Sequence, residues 1–147
     1  MSFMQDKVFV DTNILVYAHD RDADAKHEIA RRVVVQLWEQ RTGAVSIQVL
    51  QEFYINITRK IAAPLSPPAA RELIQTYFAW YIAAIHPQFI IRASEISERN
   101  KMSFWDALIV VAAQEANADK ILTEDLNSGQ TIEGVLIVNP FVTNQLV

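Results

Sequence analysis

The sequence predicts an α/β fold, a three-layer sandwich in which a central, mainly parallel β-sheet is flanked by helices. Short runs of β-branched and aromatic residues alternate along the chain with longer segments whose apolar residues repeat at helical spacing. The chain of 147 residues is 51% hydrophobic, which suits one domain with a substantial core. We therefore expect a single domain over residues 1–147.

The first half of the chain predicts two strands and two helices. The strands are expected at residues 7–10 and 44–46. The first is followed by three capping-type side chains, so a turn or a helix begins there. Asp24 and Ser46 are suited to cap the two helices, which are expected over about residues 24–41 and 47–61.

The second half predicts three further helices and two strands. Prolines and a serine cap separate the helices, which are expected over about residues 68–85, 90–101 and 103–117. The strands are expected at residues 120–123 and 135–138. Because binding sites in such sheets form beyond the carboxyl ends of strands, the residues that follow the strands are candidates for function.

Four acidic residues stand out against their surroundings: Asp11, Glu52, Asp106 and Asp125. Asp11 and Asp125 fall at or just after the ends of predicted strands, and Asp106 is the only non-apolar residue in the segment 104–113. A carboxylate at the margin of a buried segment is unfavourable unless its charge is compensated. Several carboxylates brought together repel one another, and a divalent cation is the simplest compensation. The four acids therefore predict a metal site.

Each acid also has a purely structural interpretation. Asp11 could cap a helix or form an Asx-turn, and Glu52 could belong to a solvated helix face. Asp106 stands three residues after Ser103, which is the spacing of a capping box. Asp125 could be an ordinary loop residue. For Asp106 the two interpretations are compatible, because a cap would hold a ligand carboxylate in place.

Composition excludes several classes of protein. The net charge of −4 argues against a protein that coats nucleic acid through Lys and Arg, but it allows a nuclease whose metal ions hold the substrate. The absence of cysteine excludes disulfides, thiolate zinc sites and thiol catalysis. We see no signal peptide and no apolar run long enough to cross a bilayer, so we expect a cytoplasmic protein that does not bind membranes.

Other kinds of site fit the residues less well. A Mg²⁺-binding receiver-type signalling domain would have a pair of acids after its first strand, whereas Asp11 is followed by Thr12 and Asn13. A hydrolase with an Asp nucleophile would need a second Asp at position 13. The three glycines do not form a phosphate-binding loop. No zinc-ligand spacing exists among the histidines His19, His27 and His86.

Four segments in order resemble the motifs of PIN-domain proteins, and most closely the VapC-type toxins of bacterial and archaeal toxin–antitoxin modules. The segments are residues 8–15, 46–54, 103–109 and 122–126, and each contains one of the four acids. In the family's last motif, Thr is followed by any residue and then Asp. This pattern assigns the fourth acid to Asp125 and makes Glu124 the intervening residue. The resemblance covers nearly the whole chain.

The resemblance implies a PIN-like sandwich with a pocket of acids that holds Mg²⁺ or Mn²⁺. It also implies an endoribonuclease that cleaves RNA and is blocked by a cognate antitoxin. Asp11, Glu52, Asp106 and Asp125 are then the expected catalytic and metal-binding residues, and oxygen ligands without His or Cys suit these ions. The polar residues expected to support them are Thr12, Asn13, Ser46 and Thr123. The alternative is a catalytically silent PIN-fold module that binds RNA or protein.

Two further expectations concern the surface. Four basic residues near the motifs are candidates for contacts with RNA phosphates, although a solvated basic face would explain them equally: Arg59, Lys60, Arg99 and Lys101. The segment 77–82 carries more aromatic area than one helix face usually buries. We expect it to form either part of the core or a surface for a homodimer or the antitoxin.

Overall fold

The computed structural model describes residues 6–142, and within this range it contains six strands and six α-helices. In chain order they are β1 (Lys7–Val10), α1 (Thr12–His19), α2 (Ala25–Gln40), β2 (Gly43–Ser46), α3 (Ile47–Ile55), α4 (Pro67–Thr76), β3 (Tyr81–Ala83), α5 (Gln88–Asn100), α6 (Phe104–Glu115), β4 (Ala118–Leu122), β5 (Thr131–Ile132) and β6 (Val135–Val138). A π-helical turn, Asn56–Lys60, extends α3. The predicted single domain over 1–147 includes residues outside the described range and stays a prediction.

The strands form one sheet in the order β3-β2-β1-β4-β6-β5. All neighbouring strands are parallel except β5, which runs antiparallel to β6. Helices flank this sheet, so the predicted fold class is confirmed. Because β1 and β4 are adjacent at the centre of the sheet, the residues that follow them, around positions 11 and 123, emerge side by side at its carboxyl edge.

The two central strands of the sheet lie in the hydrophobic core. Phe9 and Val10 of β1 and Ile121 and Leu122 of β4 are fully buried. Strands covered by helices on both faces are continuously apolar, which is the pattern of residues 8–10 and of residues 121–122. The carboxyl ends of these strands therefore present their following side chains from a fixed backbone. None of the helices within residues 6–142 is long and apolar enough to span a membrane.

The helix prediction was wrong over the segment 77–82. The helix expected to reach residue 85 ends at Thr76, and a 3₁₀ turn leads into β3, which pairs with β2. Tyr77 and Trp80 are buried in the core, whereas Phe78 and Tyr81 are exposed. Helical periodicity was therefore misleading here, because burial of two rings and pairing with β2 outweigh the local preference. The two-residue strand β5 was also not predicted.

Candidate active site

Asp11 lies at the junction of the sheet and the first helix. Its backbone N–H donates to the carbonyl of Leu122 over 3.0 Å, which fixes it against the end of β4. Its carboxylate accepts a 2.8 Å bond from the N–H of Thr12 and so caps α1. The structural interpretation of Asp11 as a cap is thus correct, and it is compatible with a functional one, because the cap fixes the direction of the carboxylate.

The charge of Asp11 is poorly compensated by the protein. The residue is only 8% exposed, and burial is the main cause that raises its pKa from 3.8 to about 6. The bonds from Thr12 and Thr123 oppose this rise, whereas the carboxylates of Asp125 and Glu52 add to it. Near neutral pH the site therefore holds a buried negative charge that a cation would stabilise.

Thr123 joins the first and fourth acids. Its side chain is fully buried, and its hydroxyl donates to Asp11 over 2.9 Å. The same oxygen accepts a 3.1 Å bond from the backbone N–H of Asp125. The amide of Asn13 donates to the Asp125 carboxylate over 2.9 Å and to the Thr123 oxygen over 3.4 Å. These bonds turn the exposed Asp125 towards Asp11.

Glu52 reaches the site from α3. Its carboxylate accepts a 2.6 Å bond from the hydroxyl of Thr12. Ser46 is buried at the start of α3, where its side-chain oxygen accepts a 3.2 Å bond from the N–H of Val49. Thr12 therefore contacts an acid directly, as do Asn13 and Thr123, whereas Ser46 supports the site through the helix that carries Glu52.

Asp106 occupies the first turn of α6. Ser103 caps this helix, and its oxygen accepts a 3.0 Å bond from the backbone N–H of Asp106. The return bond of a capping box is not formed, and no donor among residues 6–142 bonds to the half-buried Asp106 carboxylate. The cap thus places the carboxylate and leaves its oxygens available to a ligand.

All four acids line one cavity of about 590 Å³. The other lining residues are Thr12, Asn13, Val16, Tyr17, Gln48, Gln51, Ile55, Asn56, Lys60, Trp105 and Ile109. Four carboxylates thus face one lysine around the same space. Within residues 6–142, no three His, Asp or Glu side chains already stand in an arrangement ready to hold a metal ion. Asp11 is buried and bonded to Thr12 and Thr123, whereas Glu52 and Asp125 are exposed.

Glu124 is held away from this cavity. Its carboxylate accepts a 2.6 Å bond from the hydroxyl of Tyr17 and forms a 2.8 Å ion pair with Lys26. Its backbone N–H donates to the side-chain oxygen of Asn13 over 3.3 Å. Of the two neighbouring acids, Asp125 is therefore the one beside Asp11, and Glu124 anchors the loop that carries it.

The four candidate RNA-binding residues are not gathered at one place. Lys60 lines the acidic cavity, whereas Arg59, Arg99 and Lys101 do not. Arg99 instead forms a 2.9 Å ion pair with Glu133, in the turn between β5 and β6. Lys60 is therefore the member of this group best placed to meet a phosphate at the site.

Several cavity residues were not among the predicted site residues. Gln48 and Gln51 precede Glu52 by four and one positions, and Trp105 immediately precedes Asp106. Helical spacing places Gln48 on the same side of α3 as Glu52, so that residue was visible in principle. The hydrogen bond from the Tyr17 hydroxyl to Glu124 and the ion pair of Lys26 with Glu124 had no signal in the sequence, because they join positions 107 and 98 residues apart.

We expect Thr123→Val to lower both stability and function. The substitution keeps the shape but removes the donor to Asp11 and the acceptor for the N–H of Asp125, so the free energy of unfolding should fall by about 1–3 kcal/mol. Urea denaturation and RNA cleavage would measure the two effects. Thr123→Ser is the control, since it retains the hydroxyl; equal loss in both variants would show that the hydrogen bonds are not responsible.

The model of the PIN domain family matches residues 8–130 of this chain. This chain belongs to the PIN-domain family. The match includes Asp11, Glu52, Asp106 and Asp125 and the polar residues bonded to them. The predicted family is confirmed.

Two comparisons show known proteins to which the chain is similar. It is 27% identical over 127 residues to Ribonuclease VapC24 of Mycobacterium tuberculosis, with 80% of this chain and 86% of the relative aligned. Its fold resembles that of VapC20 of M. tuberculosis, described as a toxin that cleaves the sarcin–ricin loop, with a TM-score of 0.62, 20% identity and coverage of 81% and 90%.

Two solved complexes contain the same fold. A toxin–antitoxin complex from Klebsiella pneumoniae matches with a TM-score of 0.64 and 20% identity, covering 91% of this chain and 98% of that chain. DNA-bound VapBC from Salmonella typhimurium matches with a TM-score of 0.62 and 16% identity, covering 90% and 97%. At these identities the likeness establishes the fold.

Proposed function

We propose that this PIN-domain protein is a metal-dependent endoribonuclease and the toxin of a type II toxin–antitoxin pair. The observation that carries the proposal is the convergence of four carboxylates on one cavity at the carboxyl edge of the sheet. The named relatives support it, since one is a ribonuclease and the similar folds include a cleaving toxin and toxin–antitoxin complexes.

The residues present fit a divalent cation. Asp11, Glu52, Asp106 and Asp125 would hold it, and the raised pKa of Asp11 reflects a charge that the protein alone leaves uncompensated. A donor set of carboxylates, without His or Cys in the cavity, suits Mg²⁺ or Mn²⁺. When bound there, such an ion supplies an acidified water and stabilises charge on a phosphodiester.

The protein's own side chains would position the reacting groups. Thr12 and Asn13 hold Glu52 and Asp125, and Thr123 holds Asp11, so three polar residues orient three acids. Lys60, exposed at the cavity, would contact a substrate phosphate. No protein nucleophile is required by this arrangement, because hydrolysis uses water.

The function is tested by incubating purified protein with total RNA in Mg²⁺ or Mn²⁺ and mapping the cut ends. We expect discrete internal cuts that disappear with a chelator and return when the ion is restored. A silent PIN-fold module, the alternative, would bind RNA or a partner protein and leave RNA uncut under every ion condition, and that result would replace the proposal.

We expect Lys60→Ala to weaken RNA binding and to reduce its dependence on salt. Removal of one phosphate contact should lower the slope of log K against log[salt] by about 0.7 for single-stranded RNA. Arg99→Ala is the matched control, because Arg99 is exposed but paired with Glu133 away from the cavity. Filter binding at several salt concentrations measures both slopes, and an unchanged slope for Lys60→Ala would remove this residue from the RNA path.

The same proposed function implies two protein partners, an antitoxin and a second copy of the chain. A cognate antitoxin would block the site, and the protein would act as a homodimer in the cytoplasm. The side chains of Phe78 and Ile91 are 58% and 56% exposed and lie outside the acidic cavity. They offer apolar surface area for contacts with an antitoxin or a second copy of the chain. Analytical ultracentrifugation of the protein alone and with its antitoxin would determine both assemblies.

A further inference from the structure

A second cavity adjoins the acidic one. It has a volume of about 590 Å³, and its lining is mostly apolar: Ser46, Gln48, Gln51, Ala83, Ala84, Ile85, His86, Pro87, Phe89, Ile90, Trp105, Leu108 and Ala112. We call it the apolar groove. Gln48, Gln51 and Trp105 line both the groove and the acidic cavity, so these three residues form the boundary between them.

Trp105 is the most prominent residue at this boundary. Its side chain is 65% exposed, whereas Trp80 is 7% exposed and packed in the core. It stands beside Asp106 in the first turn of α6, which the Ser103 cap holds in place. Phe104 meets its ring at 78° with the ring centroids 5.4 Å apart, so the indole has a neighbour that supports its position. A large exposed aromatic ring at this position requires an explanation.

The two cavities differ in chemistry in a way that fits the two parts of a nucleotide. The acidic cavity contains four carboxylates, whereas no acidic residue among those the structure describes lines the apolar groove. The groove suits an uncharged, flat group, such as a base, and the acidic cavity suits a phosphodiester held by a cation. Within residues 6–142, the side-chain amides of Gln48 and Gln51 bond to no protein group, so their donors and acceptors are free to meet a base edge.

We propose that Trp105 is a substrate-binding residue on which an unpaired RNA base stacks in the apolar groove, while the adjoining phosphodiester occupies the acidic cavity. Gln48 and Gln51 bond to the edge of that base. Single-stranded RNA is recognised in this way, by bases that stack on aromatic side chains and bond along their edges. The inference rests on the proposed ribonuclease function and adds the contact that would hold an accessible base beside the cut.

The test measures binding in an Asp11→Asn background, which should leave the RNA uncut. The probe is a fluorescein-labelled ten-nucleotide single-stranded RNA of mixed sequence, compared with a chain of the same length made of abasic ribose phosphates. We expect Trp105→Ala to raise the Kd for the RNA by about 10- to 100-fold and to leave the Kd for the abasic chain unchanged. Trp105→Phe should restore most of the affinity, because it retains an aromatic face.

Val35→Ala is the control, since Val35 is an exposed apolar residue outside both cavities and was not assigned to a partner surface. It should bind RNA as the parent does. In the cleaving protein, Trp105→Ala should raise KM more than it lowers kcat. An unchanged Kd for RNA and an unchanged KM in Trp105→Ala would overturn the proposal. The same holds if that variant loses only antitoxin binding, because the groove would then be a protein-binding surface.

The two proposals can fail separately. If the unsubstituted protein never cleaves RNA, the ribonuclease function fails, whereas the comparison of RNA with the abasic chain still decides whether Trp105 binds a base. If the protein cleaves RNA and Trp105→Ala cleaves it with an unchanged KM, the ribonuclease function stands and the base-binding role of Trp105 fails.

Discussion

Asp11→Asn is expected to abolish RNA cleavage and, at the same time, to stabilise the metal-free protein. Cleavage should fall by more than about 100-fold, since loss of groups that merely support a metal ligand already reduces affinity or activity 10- to 100-fold. The gain in stability follows from burial, which raises the Asp11 pKa to about 6. At pH 7.5 the charged form is unfavourable by up to about 3 kcal/mol, and we expect a net gain of about 2 kcal/mol once imperfect hydrogen bonding of Asn is included.

The pH dependence of this gain has a definite sign. Asp11 has a pKa of 3.8 when unperturbed and of about 6 in the folded protein. Its destabilising contribution to the free energy of unfolding is therefore absent below about pH 3.8 and develops as pH rises through about 6. Urea denaturation with a chelator should show the variant to be more stable at pH 7.5, with a much smaller difference at pH 4.5. Equal stability of the two proteins at both pH values would contradict the burial of an uncompensated charge.

Asp106→Asn is expected to abolish RNA cleavage with almost no change in stability. Its carboxylate accepts no bond from a donor within residues 6–142, so the free energy of unfolding should change by less than about 0.5 kcal/mol. Cleavage should nevertheless fall by more than about 100-fold, because Asn cannot supply a charged oxygen to the cation. RNA cleavage at saturating Mn²⁺ and thermal unfolding measure the two effects.

Ser103→Ala is the complementary variant to Asp106→Asn. It removes the helix cap, which should lower the free energy of unfolding by about 1 kcal/mol, while the Asp106 carboxylate remains in place. Ser103→Ala should therefore be less stable but retain more cleavage than Asp106→Asn. If Asp106→Asn retained full cleavage, the Asp106 carboxylate would have no catalytic role.

The fold was predictable from sequence where local pattern and tertiary packing agree. Residues 8–10 and 135–138 are apolar, as expected for strands that helices cover on both faces, and the structure places strands at both. The helix prediction for residues 77–85 was wrong because the aromatic residues of this segment fit a helical pattern and a strand equally well. Pairing with β2 decided between them, and such pairing depends on a distant part of the chain.

The candidate site was predictable for a related reason. A carboxylate within an apolar segment, such as Asp106, is conspicuous because burial without compensation is unfavourable. The apolar groove gave no comparable signal, because Ile85 and Ile90 are as expected in a core as on a surface. Whether such residues are covered depends on how α5 and α6 pack, which the spacing of single residues does not specify.

We expect the acidic cavity to bind a divalent cation through Asp11. The most direct measurement is isothermal titration calorimetry of Mn²⁺ into the metal-free protein at pH 7.5, with Asp11→Asn titrated in parallel. We expect saturable binding to the unsubstituted protein and little or none to Asp11→Asn. Identical titrations for the two proteins would contradict it, whether both bound the ion or neither did.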